Sequence, residues 1–185
     1  MEAVQSIAPA RPQRTAEAVP AALAASRVIE SWHALKTKTA VLLNRPQREA
    51  DWLPKLEGLC LAVREMTTQV PDASLYMLLQ TSLRDAVGYS ARHALFCAVV
   101  SQLCAERMDL PAAEADALFR AAITMNVAMS IQQDQLALQS TGLSNEQRRV
   151  IDEHPAAGVA ILREVGVSDP LWLAIVRWHH QPSEG

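Results

Sequence analysis

Five histidines, His33, His93, His154, His179 and His180, are the residues best suited by type and placement to do chemistry. Four of them, His93, His154, His179 and His180, fall at the ends or on the apolar faces of separate predicted helices. Neutral imidazole is a common ligand for divalent transition metals. Helical proteins build metal sites by projecting such side chains inward from different helices. Adjacent residues on a helix point about 100° apart, so His179 and His180 can meet at one centre only where the helix has ended. A lone histidine on an apolar face, such as His93, is ordinarily a satisfied core residue. Four together, in a chain with five, turn the reading toward a present or ancestral metal site. Without a metal, His93 and His154 are expected to be neutral and hydrogen-bonded, because desolvation disfavours the charged form. Asn126 is a candidate partner, since its amide both donates and accepts.

The elements that must position these residues read as helices throughout. An imperfect stripe of Leu23, Val28, Trp32, Leu35 and Leu42 predicts a helix over about 20–43. Arg45-Pro46 breaks it. Leu53, Leu56, Leu59, Cys60 and Val63 predict a second over about 49–68. Asp72 is placed to cap a third that runs to about Arg84. The fourth, about 89–107, carries His93 on a face with Tyr89, Phe96, Cys97, Val100, Leu103 and Cys104. The fifth is expected over about 112–129. Ser144-Asn145-Glu146-Gln147 has the form of a capping box and opens a short helix to about Glu153. His154-Pro155 is expected to interrupt it before a helix over 156–164. Ser168-Asp169-Pro170 opens the last, which ends in Trp178-His179-His180. His33 has no evident role. No strand pattern and no internal repeat is visible.

The chain has 185 residues, half of them hydrophobic, enough to bury a core without disulfides. Its 4 Trp, 2 Tyr, 2 Phe and 6 Gly are too few for a β-rich fold. With 17 Lys+Arg against 20 Asp+Glu the net charge is −3, which does not suit a protein whose task is gripping nucleic-acid phosphates. DNA is therefore not an expected partner. The three cysteines, Cys60, Cys97 and Cys104, form neither a disulfide framework nor a CxxC motif. No apolar run reaches the ~18 residues of a membrane helix. The N-terminus lacks a signal-peptide core. A cytoplasmic chain with no membrane partner is expected.

The stretch from about Leu75 to Gly185 resembles the HD superfamily of metal-dependent phosphohydrolases. Within it, the likeness is to the HD-GYP branch, whose bacterial members hydrolyse cyclic di-GMP. Tyr89-Ser90-Ala91-Arg92-His93 resembles the start of the family's first histidine helix. Leu110-Pro111 followed by Ala121-Ala122-Ile123 resembles the lead-in to the His-Asp signature. Leu143-Ser144, Glu146, Glu153-His154-Pro155, Gly158, Ile161 and Leu162 resemble its "L-[ST]…HP..G..IL" segment. Ile175-Val176 with His179-His180 resembles its "I(V)..HH" segment. Four motifs in order over about 110 residues carry the resemblance, and the first 70 residues lie outside it.

The departures fall on the chemistry. Where the family has His-Asp-Ile-Gly-Lys, this chain has Met125-Asn126-Val127-Ala128-Met129. Methionine offers a weak thioether acceptor, and asparagine replaces a carboxylate by a neutral amide. The lysine cation is gone too. Tyr89 stands where the branch's three-metal members have a glutamate, and His179-His180-Gln181 replaces His-His-Glu. The family's loop continues Asp-Gly-x-Gly-Tyr-Pro, whereas the sequence here stops at Glu184-Gly185. Met125 and Met129, at i and i+4 of the predicted helix, are expected to fill the vacated pocket.

The resemblance thus implies an all-α, HD-domain-like multi-helix bundle with an N-terminal helical extension. Residues 1–18 are expected to be a flexible leader, 19–70 the helical segment and 71–185 a degenerate, C-terminally incomplete HD-GYP-like domain. The expected function is signalling without phosphodiesterase activity, through a protein partner such as a diguanylate cyclase or response regulator, or through a cyclic dinucleotide. A homodimer is compatible with it. No cofactor is expected to be required. If the reduced site of His93, His154, His179 and His180 persists, its ion would be divalent Fe, Mn or Zn. Two alternatives stay open. One is a working metal-dependent phosphohydrolase with Asp134, Glu153 or Glu184 as base. The other is a metal-free, HDOD-like interaction module in which the helices at 20–70 bind the partner.

Overall fold

The computed structural model describes residues 18–84 and 87–182. The leader's residues 1–17, and Glu184 with Gly185, lie outside the described residues. The fold is all-α. Among the described residues it has helices α1 (Ala18–Asn44), α2 (Trp52–Gln69), α3 (Pro71–Arg84), α4 (Tyr89–Arg107), α5 (Ala112–Thr124), α6 (Ser130–Leu138), α7 (Asn145–Glu164) and α8 (Pro170–Trp178), and no strand. No helix of the described residues is long and apolar enough to cross a membrane.

Helix α4 lies at the centre, against α1, α2, α3, α5 and α6. Its sequence explains this position. Ala91, Ala94, Leu95, Ala98, Val99 and Ala105 are all buried, and the small side chains let neighbouring helices approach from several directions. Helix α5 bridges α4 to α8, and α8 in turn carries α7. One continuous core runs from Trp32 and Leu43 of α1 through Leu56 and Val63 of α2 to Leu162 of α7 and Val176 of α8. The helices before residue 70 are therefore built into the same core as the histidine-bearing helices. Polar ties reinforce the seam. Arg120 of α5 holds Glu57 of α2 through Nε and Nη2 at 3.0 Å each, and it also pairs with Asp116. Asp116 accepts from Arg64 of α2 at 2.8 Å. These groups are partly exposed, so their contribution is orientation more than energy.

Three local expectations are corrected. Helix α3 begins at Pro71, so Asp72 sits in its first turn rather than at its cap. Proline is well suited to that position because a first-turn N–H has no intrahelical acceptor. The fifth helix ends at Thr124, not Met129. Residues 125–129 form successive tight turns, with Val127 N–H to Thr124 O at 3.0 Å and Met129 N–H to Asn126 O at 2.9 Å. Met125 and Met129 are consequently not neighbours on one helix. Met129 is buried, and Met125 is half-buried against the core. No glycine or proline marks this break. Tertiary bonding does: Ser130 Oγ donates to Leu43 O at 2.9 Å and draws the chain to α1. Finally, His154-Pro155 does not interrupt α7, which runs unbroken from its capping box at Ser144 to Glu164.

Candidate metal centre

His154, on α7, is 2% exposed. His179 is the residue after α8 and serves as its C-cap, with His180 next. The helix has ended there, although His179 keeps right-handed helical backbone angles, φ −63° and ψ −13°. Both rings turn to the same place. His154, His179 and His180 each offer a nitrogen, and these atoms lie within 4.8 Å of one another. The ring centroids are 5.0 Å apart for His154–His179, 5.2 Å for His154–His180 and 4.1 Å for His179–His180.

The outer hydrogen bonds decide what the rings present. His154 Nδ1 bonds to the carbonyl of Ile151, and His179 Nδ1 to the carbonyl of Val176 at 2.9 Å. A carbonyl oxygen only accepts, so each Nδ1 carries the proton and each neutral ring keeps its lone pair on Nε2. The two Nε2 atoms face one another at 3.1 Å. Two lone pairs at that distance repel unless a proton or a cation lies between them. Two nitrogens on one tetrahedral Zn at 2.0–2.1 Å would be about 3.3 Å apart. The donor set fits a single divalent ion held by His154, His179 and His180. Backbone carbonyls fix the buried His154 ring and the half-buried His179 ring, as outer partners do at histidine–metal sites.

The fourth sequence candidate, His93 on α4, is not part of this cluster. It is half-buried, stacked on Tyr89 with centroids 5.5 Å apart, and has Cys97 Sγ 3.7 Å from its Nε2. It stays close enough to His180 to feel its charge. Asn126 is buried, but the polar partners of His93 and His154 are the groups just named, not its amide. His33 is exposed.

No carboxylate joins the cluster among the described residues. Asp134, a sequence candidate for a general base, accepts from the backbone N–H of Ser90 at 2.7 Å. It thereby satisfies one of the orphan donors at the start of α4. Glu153 is exposed on α7. The role of Asp134 could not be seen in sequence, because its partner is 44 residues away and on another helix.

Burial lowers the pKa of His93, His154 and His179, and the neighbouring His180 charge lowers each further. For His154 and His179 the bonds to Ile151 and Val176 oppose this without reversing it. Unfolded, each titrates near about 6.5. Between the folded values and about 6.5 the unfolded chain therefore binds more protons, and stability rises with pH. Urea denaturation of the metal-free protein is expected to show stability climbing with pH over the interval below about 6.5 and then levelling. A stability that is flat over that interval would contradict the depressed values.

Comparison with protein-family models, with curated proteins and with solved structures gives no match for this chain.

Proposed function

We propose that this chain is a degenerate HD-GYP-like signalling domain that binds a single divalent ion and does not turn over phosphodiesters. The observation that carries the reading is the composition of the cluster. It has three imidazoles and, among the described residues, no anionic ligand or base. An ion there would supply Lewis acidity, but hydrolysis also requires a positioned base to take a proton from water. Asp134 is committed to α4 and Glu153 points to solvent. In the 125–129 turn, where the family resemblance places His, Asp and Lys, Met129 and Asn126 are buried without charge. An imidazole-only site suits Zn and its neighbours better than ions that prefer oxygen.

The output of such a domain is a contact. The resemblance directs attention to a diguanylate cyclase, a response regulator or a cyclic dinucleotide as the partner, and to a homodimer as the assembly. The test is hydrolysis of a chromogenic phosphodiester and of cyclic di-GMP with Mn, Fe or Zn added. Turnover is expected to match the metal-only blank. Turnover above it that disappears in His154→Ala would instead establish the second reading, a phosphohydrolase with a reduced histidine site. The cluster itself is what favours that alternative. A chain that takes up no ion at all would point to the metal-free interaction module.

A further inference from the structure

We infer that Pro155 is a positioning residue for the histidine cluster: by lacking an N–H, it frees the carbonyl that fixes His154 in its ligand-ready tautomer. This rests on the metal-binding reading above and concerns the same site.

In an α-helix the N–H of residue 155 would bond to the carbonyl of residue 151. Proline has no N–H, and its ring crowds the carbonyl four residues back. Pro155 is buried inside α7, which continues through it. The Ile151 carbonyl, deprived of its helical donor, accepts from His154 Nδ1 instead. That bond places the proton on Nδ1 and the lone pair on Nε2, facing His179 Nε2 at 3.1 Å.

The partner histidine uses the same device by another route. His179 Nδ1 donates to Val176 O in the last turn of α8, where carbonyls lose their helical donors because the helix stops. His154 is mid-helix and has no such terminus nearby. There Pro155 leaves the Ile151 carbonyl without the helical N–H it would otherwise share, so its lone pairs are open to His154. Proline at the position directly after the histidine is the one residue type that does so. The adjacency of His154 and Pro155, which read as a helix break in sequence, thus acquires a chemical purpose.

The test compares wild type with Pro155→Ala and Pro155→Gly. Imidazole ¹⁵N shifts of the metal-free proteins report the tautomer, and calorimetric titration with Zn(II) reports affinity. Wild-type His154 is expected to be protonated on Nδ1. Both variants restore the N–H, so in both His154 is expected to shift toward the Nε2-protonated form and Zn affinity to fall roughly 10–100-fold, the range seen when an outer partner is lost. Alanine favours a helix interior far more than proline does, and glycine less than alanine. Pro155→Ala is therefore expected to melt at or above the wild-type temperature and above Pro155→Gly, while both lose affinity alike. A purely structural proline would instead make affinity follow stability. His154 retaining the Nδ1 proton in both variants, or carrying the Nε2 proton in wild type, overturns the inference. Absence of Zn binding by wild type would sink the metal-binding reading alone, because the tautomer is measured without metal.

Discussion

Zn(II) added to the metal-free protein is expected to saturate at one ion per chain and to raise its melting temperature. His154→Ala and His179→Ala should each abolish that rise. The size follows from mass action. A ligand that binds only the folded state at 100 times its Kd stabilises by about 2.7 kcal/mol. For a chain of this size each 1 kcal/mol is worth roughly 2–4 °C, so the shift should be about 5–10 °C. Mg(II) and Ca(II) should give no comparable shift, because the cluster holds imidazoles and no carboxylate among the described residues. His33→Ala and His93→Ala are the controls. His33 is exposed, and His93 stacks on Tyr89 outside the cluster, so both variants should keep the rise. Differential scanning fluorimetry with and without chelator measures the shift, and elemental analysis counts the ion. A rise that survives in both His154→Ala and His179→Ala would place the ion elsewhere.

The candidacy of His154, His179 and His180 was legible because each falls at a local helix signal, whereas which of the four candidates meet, with His93 left apart, was not. His154 sits in an apolar stripe of a well-capped helix, and His179-His180 ends another. The capping box at Ser144 was readable for the same reason, since both bonds lie within residues 144–147: Gln147 N–H to Ser144 Oγ at 3.1 Å and the return bond at 2.9 Å. What escaped depended on distant partners. Helix α6, Ser-Ile-Gln-Gln-Asp-Gln-Leu-Ala-Leu, shows no apolar stripe, and Ser130 is its single buried residue. Its place is set by Asp134 reaching Ser90 and Ser130 reaching Leu43, contacts that span 44 and 87 residues. The break after Thr124 belongs to the same tertiary bonding. Pro155 misled for the opposite reason. The rule that proline ends helices is correct about the lost hydrogen bond, but tertiary packing retains the helix and a histidine collects the carbonyl.

Trp172→Ala is expected to destabilise the protein by about 3–5 kcal/mol, the range for removing a large aromatic from a packed core. Folded domains hold only about 5–15 kcal/mol in total, so this variant should sit near the limit of folding. Trp172 is 3% exposed on α8. Its Nε1 donates to Thr124 Oγ1 at 2.8 Å, and Thr124 Oγ1 donates to Arg120 O at 2.8 Å. The Arg120 guanidinium lies 5.9 Å from the ring centroid while also holding Glu57 of α2. One side chain thus ties α8 to the last turn of α5, and through Arg120 to α2. Trp172→Phe keeps an aromatic ring but loses the N–H and the outer part of the indole, so its cost should be smaller, about 1–3 kcal/mol. Urea denaturation of the metal-free variants separates the two, and equal costs would show that the hydrogen bond, not the packing, is what matters. The consequence reaches the histidines, because α8 carries His179 and His180 while His154 stands on α7. If α8 is held chiefly by Trp172, the alanine variant should lose Zn affinity as well as stability, although Trp172 belongs to no part of the cluster. Unchanged Zn affinity in a folded Trp172→Ala protein would mean that the packing of α7 on α8 fixes the site without help from α5.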